Sequence, residues 1–137
     1  MRIVLDTHVL AAGLLRADSM AGRVLDLLRA GNLRLAVDDR ILREYDEVLA
    51  SPPLARCLPP LERARILAFL HADAERHIPT TVVKGLPDPK DASFAETALA
   101  ADAPLVTDDF RRFPAERCGR MRVFSLVRFL EEIDRPR

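Results

Sequence analysis

Apolar residues fall along this chain in two rhythms, short unbroken runs and stripes at helical spacing, and the two alternate. Ile3-Val4-Leu5 is the first run and predicts a strand at residues 2–6. Helical periodicity follows over 8–16 and 20–30, with Gly31-Asn32 as a stop signal. A strand at 33–37 leads into a helix over about 40–50, capped by Asp38 or Asp39 and ended by Ser51-Pro52-Pro53. A helical pair fills 54–58 and 60–76 around Pro59-Pro60, and a short strand is expected at about 78–83. Lys84-Gly85-Leu86-Pro87-Asp88-Pro89 reads as a loop. After it come a helix at 91–101, strands at 104–107 and 121–124, and a closing helix at 125–133, with no internal repeat or low-complexity tract.

Strands alternating with helices predict an α/β fold, a three-layer α/β/α sandwich around a mainly parallel sheet, because right-handed crossovers set helices on both faces. A length of 137 residues with 49% hydrophobic side chains suits one domain over 1–137 with a single core. Lys and Arg total 21 and Asp and Glu total 21, so no whole-chain field draws in nucleic acid or an anionic membrane; such binding must be local. Cys57 and Cys118 stand apart, which argues against zinc and against a disulfide framework, and suits a reducing compartment. No run reaches membrane-spanning length and the amino terminus enters a strand at once, so a soluble, cytoplasmic protein is expected. No glycine-rich phosphate loop follows the first strand; aspartate occupies that turn.

The acids carry the candidate chemistry. Asp6 closes the first apolar run, and Asp108-Asp109 follow Leu105-Val106-Thr107, so both fall at carboxyl ends of buried strands, where open parallel sheets bind ligands. On the 40–50 helix, Ile41, Leu42, Tyr45, Val48 and Leu49 form one stripe; Glu44 borders one edge and Asp46 the other, and periodicity leaves both as candidates. Glu47 points nearly opposite the stripe. Asp91 opens a helix whose Phe94, Ala95 and Ala98 face the sheet. Each acid alone has an ordinary structural use. Asp6 suits a strand-end turn held by the next helix's amides, and Asp91 suits a helix cap, although Ser93 with Glu96 offers a capping box that leaves Asp91 freer.

Four segments in order give the conjunction its meaning: Val4-Leu5-Asp6-Thr7-His8-Val9-Leu10, Arg43-Glu44-Tyr45-Asp46-Glu47-Val48-Leu49, Pro87-Asp88-Pro89-Lys90-Asp91-Ala92-Ser93-Phe94, and Leu105-Val106-Thr107-Asp108-Asp109. In these the chain resembles the PIN-domain family of metal-dependent nucleases, which includes the VapC-type toxins of bacterial toxin-antitoxin pairs. The resemblance implies a metal-dependent endoribonuclease. It makes Asp6, Glu44, Asp91 and Asp109 the catalytic and metal-binding acids, chooses Glu44 over Asp46, and sets Thr107 at the family's small hydroxyl position. It also implies an RNA substrate, a small antitoxin protein as partner and a homodimer. The face of Met20, Val24, Leu27 and Leu28 offers a dimer contact, although core packing is the simpler use of it. Gathered carboxylates repel one another unless a cation neutralises them, and hard oxygen donors suit Mg²⁺ or Mn²⁺.

Two departures from the family pattern touch the site. His8 stands where the family usually has asparagine, and Asp108 where many relatives have glycine, so Asp108 competes with Asp109; register with Thr107 favours Asp109. They motivate the alternative of a PIN-like RNA- or protein-binding module that has lost cleavage. The arginines that follow, Arg111 and Arg112 with Arg117, Arg120 and Arg122, are candidates to grip flanking phosphates. His71 and His77 lack zinc-helix spacing and read as surface residues. With aromatics at 5% and no Trp, an extensive base-stacking platform is not expected. A phosphoacceptor domain of the receiver type also gathers aspartates near magnesium, but its late strand-end lysine is missing: Lys84 and Lys90 come too early.

Overall fold

The computed structural model describes residues 1–136. Its centre is strand β1 (Arg2–Leu5), in which Ile3, Val4 and Leu5 are wholly buried, the mark of a strand covered on both faces. Helices α1 (Thr7–Leu15) and α2 (Met20–Arg29) follow, then β2 (Arg34–Val37), α3 (Asp39–Ala50), α4 (Leu54–Cys57), α5 (Pro60–Asp73) and β3 (Glu75–Arg76). A 3-10 turn at Pro89–Asp91 runs into α6 (Ala92–Ala101), and β4 (Leu105–Val106) leads to a second 3-10 turn at Phe110–Arg112. Helix α7 (Ala115–Cys118), β5 (Val123–Phe124) and α8 (Leu126–Asp134) complete the chain. All the strand pairings are parallel and the spatial order is β3-β2-β1-β4-β5, with helices flanking the sheet as expected for an α/β/α sandwich.

That order fixes where a ligand site can lie. From β1 the chain winds outward through β2 to β3, then crosses back to β4 on the other side and winds outward to β5. The β1–β4 boundary is therefore the topological switch point, and connections leaving its carboxyl ends diverge to open a crevice. In register, Val4 pairs with Leu105 and Leu5 with Val106, which sets Asp6 and Thr107 side by side just beyond the strand ends.

The helix termini obey local rules. Asp38, not Asp39, caps α3 by accepting the Ile41 amide at 2.9 Å, and Ser19 and Ser125 cap α2 and α8. Gly31, at φ +82°, ends α2, while the Asn32 and Gly31 amides reach back to the Leu27 and Leu28 carbonyls. On α2, Val24 and Leu28 are buried in the core, and Met20 is 47% exposed.

Two sequence expectations are corrected. The strand expected at about 78–83 lies earlier, at Glu75–Arg76, where it pairs with Ala36 and Val37; Ile78 and Val82 are exposed, and Val83 is the hydrophobic residue of that stretch that reaches the core. β3 is an edge strand blunted by charge, with Glu75 paired to Arg2 and Arg34, so apolar content was a poor guide to it. The Ser93–Glu96 capping box does not form. Ser93 donates to the Lys90 carbonyl, and buried Glu96 instead accepts from Arg40 and the Val83 amide.

Candidate active site

Asp6 is the floor of the crevice, 2% exposed and held from three sides. One oxygen accepts the His8 amide at 3.3 Å as the cap of α1, so the ordinary strand-end role is present. Its other oxygen accepts the Thr107 hydroxyl at 2.7 Å, and the same hydroxyl accepts the Asp109 amide at 3.1 Å. Fully buried Thr107 thus couples the loops after β1 and β4 into one unit.

Asp108 and Asp109 have separate surroundings. Asp108 accepts the Leu126 amide at 3.0 Å, fastening the start of α8 to the end of β4, whereas Asp109 is half-buried beside Thr107. Both line a cavity of about 390 Å³ with Asp6, His8, Val9, Ala12 and Leu126.

Asp91 reaches the same place from the turn before α6 and is 4% exposed. Its side chain caps no helix; Asp88 takes the capping bond nearby, from the Lys90 amide. Both Asp91 oxygens are held by Arg112, through Nε at 2.9 Å and a terminal nitrogen at 2.6 Å. The other terminal nitrogen donates to Asp6 at 2.8 Å and to His8 Nδ1 at 3.1 Å, which requires that ring nitrogen to be unprotonated. The hydrogen bonds to Asp91, opposed by burial and aided by Asp6, raise the Arg112 pKa above its already high ordinary value. Arg112, one of the arginines that are candidates for phosphate contact, is folded in among the acids. His8 itself is largely exposed at the rim.

Glu44 lies on α3 at the edge of the stripe, where it accepts a hydrogen bond from the buried Thr7 hydroxyl, one residue beyond Asp6. Asp46 faces the other way and pairs with His71 of α5 at 2.9 Å. The turn between them is pinned by Tyr45, fully buried, whose hydroxyl donates to the Leu5 carbonyl at 2.5 Å. Burial first, then the charges of Asp6 and Glu44, push the Tyr45 pKa far up, so the phenol stays neutral. Glu44 faces a groove of about 370 Å³ with Arg40, Arg43, Glu47, Pro89, Lys90 and Ser93. This groove supplies positive charge that the sequence reading did not single out. No linear signal marks it, because Arg43 and Lys90 are far apart in the chain.

A family model for the PIN domain matches residues 2–111. The chain belongs to the PIN-domain family. Among solved structures, the crystal structure of VapBC2 from Rickettsia felis bound to a DNA fragment from their promoter is similar in fold, with a TM-score of 0.59 at 18% identity, over 91% of this chain and 98% of that one. No curated protein sequence matches the chain.

The arginine stretch after this PIN chain's last strand-end acids is not one patch. Arg111 is outward and 3.5 Å from Asp109, Arg117 lies over Gly85, and Arg122 binds the Asp102 carbonyl at the amino ends of the strands, away from the crevice. The crossover from β4 to its parallel neighbour β5 runs from the carboxyl end of the sheet back to its amino end, so neighbours in sequence separate in space.

The acidic oxygens have the hard-donor chemistry that Mg²⁺ or Mn²⁺ prefers. Their arrangement does not match that chemistry. Among the described residues no three His, Cys, Asp or Glu side chains stand together closely enough to hold an ion, and a guanidinium bridges Asp6 and Asp91.

Proposed function

We propose that this PIN protein is an endoribonuclease that hydrolyses phosphodiester bonds with Mg²⁺ or Mn²⁺, its acids being Asp6, Glu44, Asp91 and Asp109. The observation that carries the reading is the meeting of Asp6, Thr107, Asp109 and Asp91 at the β1–β4 switch point, drawn from three distant parts of the sequence. Asp6, Asp91 and Asp109 would be the residues to hold a divalent ion, which would supply a more acidic bound water and neutralise charge on the scissile phosphate. The chain's own residues supply the frame. Thr107 orients Asp6, Thr7 orients Glu44, and Arg43 and Lys90 offer positive charge to a phosphate backbone beside the acids. The Rickettsia felis VapBC2 complex, as a structural relative, supports a toxin paired with a small antitoxin protein.

Purified protein and Asp6→Asn, each incubated with a mixed labelled RNA pool in Mg²⁺, Mn²⁺ or excess EDTA, test this directly. Internal cuts that need metal and vanish in the variant are expected, with the variant's circular dichroism unchanged. Equal cutting by Asp6→Asn would refute its role. The bridging Arg112 favours a second reading, a PIN module that binds RNA or protein without cleaving; RNA retention with no fragments under any metal would establish it.

A further inference from the structure

Two buried carboxylates that converge need a counter-charge, and this chain carries its own. Asp6 and Asp91 bring two negative charges into positions 2% and 4% exposed, and the guanidinium of Arg112 spans them with three hydrogen bonds of 2.6 to 2.9 Å. Bidentate Arg–carboxylate pairs are among the strongest polar contacts in proteins, and removing one partner of a buried pair is costly. The bridge is also fixed from behind. Arg112 closes the 3-10 turn begun at Phe110, and its guanidinium lies 5.3 Å over the ring of Phe113, which is 4% exposed. A cation shared by Asp6 and Asp91 must lie where this guanidinium lies. The charges give the same answer: two carboxylates with Arg112 leave a net −1, and a divalent ion in its place leaves zero.

We infer that Arg112 is an internal stand-in for the divalent cation, a latch that holds the acid site closed and that a metal ion must displace to bind Asp6 and Asp91. The inference rests on the metal-dependent reading above. It makes the apparent metal affinity the intrinsic affinity multiplied by the fraction of molecules with Arg112 withdrawn.

Mn²⁺ binding, followed by loss of the free-ion electron paramagnetic resonance signal, compares the intact protein with Arg112→Gln, Arg112→Lys and Asp6→Asn/Arg112→Gln. With a latch mostly closed, Arg112→Gln is expected to bind Mn²⁺ at least about tenfold more tightly than the parent. Arg112→Lys, which keeps the charge but cannot make the fork, should lie between them, and the double variant should lose the gain. Without metal, Arg112→Gln should melt below the parent, and Mn²⁺ should raise its melting temperature more than the parent's. If Arg112→Gln does not fold, Arg112→Lys makes the same comparison. Equal or weaker binding by the Arg112 variants overturns the latch and leaves the metal site standing. An absence of Mn²⁺ binding in every form overturns the metal reading and the latch with it.

Discussion

Tyr45 shows how one residue links the core to the candidate chemistry. Its ring fills the core, its hydroxyl ends at the Leu5 carbonyl next to Asp6, and its neighbour Glu44 meets Thr7. Tyr45→Phe keeps the ring but strands that carbonyl bond, so a loss of about 1 kcal/mol is expected in denaturant unfolding with an unchanged slope. An unchanged midpoint would mean that the hydroxyl does not hold the turn. Cys118 and Cys57 divide in the same local way. Burial, then the charge of Glu116, pushes the Cys118 thiol up, while Cys57 is exposed. A thiol reagent at pH 8 should modify Cys57 promptly and Cys118 only on unfolding, as followed by intact mass; prompt double labelling would contradict the burial of Cys118.

Element packing sets a sharper test at Gly13. A Cβ there would sit 2.8 Å from both the Ala21 carbonyl oxygen and Leu25 Cδ1, so α1 and α2 meet only because Gly13 has none. Helix propensity alone favours alanine by about 1 kcal/mol, whereas overpacking costs about 1–3 kcal/mol, and the obstructing carbonyl belongs to a helix backbone that cannot rotate aside. Gly13→Ala should therefore lower the melting temperature despite improving the helix; a rise would show that the helices slide apart freely. Helix α3 was legible in advance from its apolar stripe and an aspartate cap, because a capping residue acts on an amide two or three positions away. β3 was not. Its two residues are polar, and only the free edge of β2 selects them.

At the scale of the whole molecule, an early helix and the closing one are tied by Arg23 of α2 and Asp134 of α8, forked at 2.5 and 2.9 Å across 111 residues of sequence. The hydrogen bond to Arg23 lowers the Asp134 pKa below its ordinary value. A carboxyl with a lowered folded-state pKa stabilises the fold above its unfolded pKa, and that contribution fades as pH falls through the folded value. The pair is exposed and the effect small and salt-sensitive. The melting temperature of Asp134→Asn should lie slightly below the parent's at pH 7 in low salt, with the gap closing toward pH 3; a constant gap would assign it to another cause.

By itself the sequence determined the alternation of elements, the α/β class and the acids at strand ends, because apolar runs, helical stripes and caps are local properties of neighbouring residues. It also determined the family, through four short segments in order. Tertiary structure alone decided which charges meet. The parallel register set Thr107 against Asp6, the facing helices sent Asp46 to His71 and Glu44 to Thr7, and the crossover after β4 turned Arg112 inward while carrying Arg122 to the other end of the strands. Such meetings depend on distances between residues up to about a hundred positions apart in sequence, which periodicity cannot encode. The arginine expected to face phosphate faces two carboxylates for that reason.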